Sequence, residues 1–98
     1  MKIIVIHPIN SKEIIIKSGS IPGEKRDIYL DENTLIKAFE KEFSEISEED
    51  KEKFIMYISE IQTVDYVDSK EVNGELVHYV HLKVSEKNRE KIRNLLNN

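Results

Sequence analysis

The dipeptide Asn73-Gly74 lies inside the stretch TVDYVDSKEVNGELVHYVHLKV, Thr63 to Val84, and it constrains the fold more than any other feature of the chain. Both residues tolerate positive φ, and the flanks are rich in Val and Tyr, so the stretch is expected to be a β-hairpin. Two registers compete. A two-residue turn sets Val72 opposite Glu75, Tyr66 opposite His81 and Val64 opposite Lys83, which pairs apolar with polar residues along both faces. A three-residue loop, Val72 to Gly74 with Gly74 left-handed, sets Val64 against Leu82 and Tyr66 against Val80. One face then becomes apolar toward its far end, so this second register is the expected one. It also sets Asp68 opposite His78 and Asp65 opposite His81.

Upstream, KIIVI (Lys2–Ile6) and KEIIIKS (Lys12–Ser18) are β-branched runs separated by HPINS, whose His-Pro and Asn-Ser pairs are turn chemistry. Neither run alternates at its centre, which predicts strands covered on both faces or placed inside the sheet. DIYL (Asp27–Leu30) is a candidate short strand. Asp31 then suits a helix N-cap, followed by Leu35, Ile36, Phe39, Phe43 and Ile46 at spacings of three and four. Ser47 with Asp50 three residues on forms a capping box for a second helix, with Phe54, Ile58 and Ile61 on one stripe. Ser85 caps a last helix whose stripe is Ile92, Leu95 and Leu96. The expected fold is a single α+β domain over residues 1–98: a mainly antiparallel four- or five-stranded sheet with three helices packed on it, in the order ββ(β)ααββα.

The second helix carries an anomaly. FIMYI, Phe54 to Ile58, is apolar or amphipathic throughout, and at about 100° per residue five such positions circle the helix instead of making one stripe. Either the helix lies between two layers, which is the favoured reading, or Met56 and Tyr57 are exposed and meet a partner.

Charge is unevenly spread. Residues 27–53 carry ten acidic and four basic side chains and residues 54–82 five and one, whereas both ends are net basic; the whole chain is −4. Solvated helix faces account for much of this, but an acidic centre also favours a protein partner with a basic surface and disfavours nucleic acid. The apolar run at Ile3–Ile6 is shorter than the roughly 7–15 residues of a signal peptide or the roughly 20 of a membrane span, so a cytoplasmic protein with no membrane association is expected. There is no cysteine, which removes disulfides, thiol catalysis and thiolate metal sites.

The stretch KSGSIPGEKRD, Lys17 to Asp27, invites comparison with a phosphate-binding loop. A Walker A loop has four residues between its glycines, then Lys, then Ser or Thr, then a helix. Here three residues separate Gly19 from Gly23, Glu24 precedes Lys25, and Arg26 stands where the hydroxyl belongs. A looser anion site using Lys17, Lys25 and Arg26 is the residual reading. In HYVH the strand period sends His78 and His81 to opposite faces, so they do not share an ion, and neither a metal nor a cofactor is implied. The Asp-His pairs resemble half of a hydrolytic site without a nucleophile, and cross-strand pairing explains them better. In the last helix Lys87 and Lys91 flank the apolar stripe on one side and Arg89 and Arg93 on the other, as basic stems covering apolar surface do.

These features point away from catalysis. They describe a small acidic protein that binds another macromolecule, in its sharpest form an inhibitor, antitoxin or immunity-like protein. Glu45, Glu48, Glu49, Asp50, Glu52, Met56 and Tyr57 would then be the contact residues. The alternatives are a binder of a phosphate-bearing small molecule or nucleotide through the 17–27 loop, and a homodimer built on a sheet edge or on the second helix.

Overall fold

A computed structural model of the chain describes residues 2–16 and 30–96. The elements are β1 (Lys2–Ile6), β2 (Glu13–Ile16), α1 (Glu32–Ala38), α2 (Glu40–Glu45), α3 (Glu48–Ser59), β3 (Val64–Val72), β4 (Glu75–Leu82) and α4 (Glu86–Leu96). The four strands form one sheet in the order β2-β1-β4-β3. The α+β class is as expected, but the sheet is mixed. β1 pairs antiparallel with β2 and parallel with β4, aligning Ile3 with His78 and Val5 with Val80. Two local hairpins are thus joined side by side through β1, the first strand of one, and β4, the second strand of the other, and that join is parallel. Of the candidate strand at 27–30, Asp27 to Tyr29 lie outside the described residues, and Leu30 is a buried non-strand residue.

The inner position inferred from the apolar runs holds for β1, where Ile3, Ile4 and Val5 are all buried. It fails for β2, an edge strand whose Ile15 is 59% exposed. Ile3, Val5, Ile14, Val64, Val80 and Leu82 point to the helix side and meet Leu35, Phe39, Phe54, Ile58 and Ile92 in one core. Ile36, expected on the α1 stripe, is instead on its solvent side.

All three expected helix starts are built as read. The Asp31 side chain accepts from the Thr34 N–H at 2.7 Å, Ser47 Oγ from Asp50 N–H at 3.3 Å, and Ser85 Oγ from Asn88 N–H at 3.2 Å. The first helix, expected to run unbroken to Ile46, is split at Phe39, so the chain has four helices among its described residues. At this break the helix meets Asn10 of the β1–β2 turn. Its Oδ1 accepts from the Lys12 N–H at 3.0 Å, while its Nδ2 donates to the Ala38 carbonyl at 3.2 Å, tying the β1–β2 turn to the end of α1. Phe39, at φ −115° and ψ 26°, closes α1 and drives a fully buried ring into the core, edge-on to His7 and Phe54.

The β3–β4 register combines both hairpin options. At the tip the turn has two residues, Asn73 (φ 52°) and Gly74 (φ 81°), both left-handed, and Val72 faces Glu75. From there Tyr66 faces His81, Asp68 faces Tyr79 and Ser69 faces His78, which corrects the expected Asp68–His78 and Asp65–His81 pairs. A bulge between Val64 and Tyr66 then shifts the ladder by one, and Val64 meets Leu82 after all. The bulge supplies at Asp65 the correction that the expected register placed in the turn.

Candidate partner-binding surface

α3 begins at the Ser47 cap, and its first turn holds Glu48, Glu49 and Asp50 beside the positive end of the helix dipole. Phe54 and Ile58 define its buried stripe, and Phe54 meets Phe39 and Phe43 edge-to-face at 5.5 and 5.1 Å. With about 100° per residue, Glu49, Glu52, Lys53, Met56 and Glu60 fall on the opposite arc, and all five are exposed. Met56 lies at the middle of that arc with 52% of its surface accessible. The favoured reading of FIMYI as a helix between two layers is therefore corrected: one face is buried and the other is open.

The other expected contact residues divide. Glu48 is exposed and paired with Lys51 at 2.7 Å, and Glu45 stands exposed at the end of α2. Asp50 is half-buried on the flank of α3. Tyr57 is also half-buried and turned toward α4, where Lys91 Nζ lies 5.4 Å from its ring centre. The Lys91 ammonium thus lies over an aromatic face between α4 and α3. Glu60 joins the arc unforeseen, although its position four residues after Met56 is the signal for it. Lys17, Lys25 and Arg26 lie outside the described residues.

The histidines occupy three different environments. Tyr66 stacks on His81, rings 4.2 Å apart and 11° from parallel, on the sheet face away from the core. Ser69 Oγ and His78 Nδ1 are 2.6 Å apart, a hydroxyl within proton-transfer reach of an imidazole. The pair lacks the rest of a catalytic constellation: His78 Nε2 is buried without a hydrogen-bond partner, so no acid orients the ring. His7 is fully buried at the end of β1. Its Nδ1 accepts from the Ile9 N–H at 3.3 Å, and its buried Nε2 has no hydrogen-bond partner. Burial pushes its pKa down to about 4, and the Ile58 carbonyl offsets this only in part. Among the described residues no three His, Asp or Glu side chains converge as a metal site would require. No helix among them is long and apolar enough to cross a membrane.

Searches against protein-family models, curated proteins and solved structures find no match for this chain.

Proposed function

We propose that this protein acts by binding a protein with a basic surface through the outward arc of α3, without catalysis of its own. The observation that carries the reading is Met56, 52% exposed within an arc that also holds three carboxylates, Glu49, Glu52 and Glu60, against one cation, Lys53. An exposed methionine supplies an adaptable apolar contact, and the carboxylates around it steer a cationic partner onto that contact. Glu45 and Glu48 extend the acidic surface. An inhibitor, antitoxin or immunity-like role suits such an array, because rows of carboxylates imitate a phosphate backbone and fill the basic groove of a nucleic-acid enzyme.

The test compares baits. Wild-type protein, Glu49→Lys/Glu52→Lys and Met56→Asp are immobilised in parallel and exposed to lysate of the source cell at low salt, then washed at high salt. A protein held by the wild type, released by salt and lost from both variants is the expected result. A partner captured equally by all three baits would show that α3 is not the contact surface.

A further inference from the structure

β3 is an edge strand, and its geometry is self-complementary. Between the bulge after Val64 and the turn at Asn73-Gly74, the seven residues Tyr66 to Val72 keep an unbroken ladder with β4, and the midpoint of that segment is Ser69. Val72 and Glu75 close a two-residue turn, so they form a hydrogen-bonded pair, and alternation directs the backbone groups of Val72, Lys70, Asp68 and Tyr66 toward β4. The N–H and C=O groups of Val67, Ser69 and Glu71 therefore point out of the sheet edge. Among the described residues no strand takes them.

We propose that a second copy of this chain does, pairing β3 antiparallel with β3 about a two-fold axis through Ser69. The sheet would continue across the axis into eight strands. This register is selected by side chains. It sets Asp68 opposite Lys70 of the second copy and Tyr66 opposite Val72 of the second copy, and symmetry repeats both pairs. Asp68 and Lys70 are 3.4 Å apart within one chain with side chains 48% and 61% exposed, the Lys70 ammonium also lying 5.6 Å from the Tyr79 ring centre, and a dimer would close the two pairs into a ring of four alternating charges. Tyr66 and Val72, 55% and 40% exposed, are two of the large apolar side chains the monomer leaves uncovered, and the pairing covers both. Moving the axis to Asp68 sets two aspartates face to face, and moving it to Lys70 sets two lysines so. The bulge at Asp65 limits the pairing segment at one end and the hairpin turn at the other, and the two-fold axis uses up the β3 edge of both copies.

Multi-angle light scattering across a dilution series of the full chain tests this. The wild type is expected to pass from the monomer mass of 11.5 kDa toward twice that mass as concentration rises. Asp68→Lys and Lys70→Asp each replace two attractions by two repulsions and should weaken dimerisation roughly tenfold or more. An equimolar mixture of the two variants places lysines opposite aspartates again and should restore the dimer, as should the double swap Asp68→Lys/Lys70→Asp in one chain. Circular dichroism confirms that each variant is folded. A wild type that stays monomeric at every concentration overturns the proposal. So does a dimer that tolerates both single variants, or a mixture that fails to reassemble while the wild type dimerises.

Discussion

Lowering the pH from about 7 to about 4 should cost this protein stability through His7 in particular, because the folded state holds that ring neutral while the unfolded chain charges it. The folded pKa, about 4, lies below the ordinary value of 6.5. A depressed pKa means that the unfolded state binds the extra proton first. The stability is therefore whole above about pH 6.5, falls as pH drops through the interval, and levels off below about pH 4. At 1.36 kcal/mol per pKa unit the full loss is about 3 kcal/mol, a large share of the roughly 5–15 kcal/mol that keeps a small domain folded. The comparison protein is His7→Phe, which keeps an aromatic ring beside Phe39 but has nothing to titrate. Urea unfolding of both proteins at closely spaced pH values separates the His7 contribution from that of every other group. The wild type should lose about 3 kcal/mol more than the variant between neutral pH and about pH 4. Asp31, whose carboxyl is held below its usual range by the Thr34 backbone N–H, acts in a lower window and is common to both proteins. Parallel pH profiles for wild type and variant would refute the reasoning, as would an NMR titration placing His7 near the ordinary histidine value.

Other expectations concern the joints of the fold. Phe39→Ala removes the ring that meets both His7 and Phe54 and should cost about 3–5 kcal/mol in urea denaturation, a large share of the stability of a chain of this size. Ser69→Ala strips His78 Nδ1 of its hydrogen-bond partner while Nε2 already has none, and should cost about 1–3 kcal/mol by the same assay. Ser47→Ala removes the α3 cap for about 1 kcal/mol, read from the thermal midpoint.

What could be read in advance was local. Asp31, Ser47 and Ser85 announce helix starts because a cap and the N–H it accepts lie three residues apart. Asn73-Gly74 announces a hairpin because two neighbouring residues accept positive φ. The features that were missed depend on residues far apart in the chain. The break at Phe39 lies where Asn10 reaches the Ala38 carbonyl from the β1–β2 turn. The mixed sheet arises because β1 and β4 come together from opposite ends of the chain. The Asp65 bulge is a different case: apolar pairing at Val64 was the right demand, and a turn and a bulge both satisfy it, with nothing local to decide between them. At the candidate site the acidic character of α3 was plain from composition. The open position of Met56 was not, since whether a second layer covers that arc is decided by tertiary packing.

The parallel seam between β1 and β4 also governs the order in which the fold can be assembled. β3 and β4 meet through a two-residue turn and α3 follows its own cap, so both can form soon after their residues leave the ribosome. β1 is made first, yet the strand that flanks it on the inner side is among the last to emerge, with Ile4 aligned to Tyr79 and Ile6 to His81. During synthesis, then, the most apolar strand of the chain waits with one edge open until β4 is made, and joining the two closes a long loop, the kind of contact that slows folding. A slowly folding population in refolding kinetics, shortened by variants that strengthen the β1–β2 turn, is how that wait would be recorded.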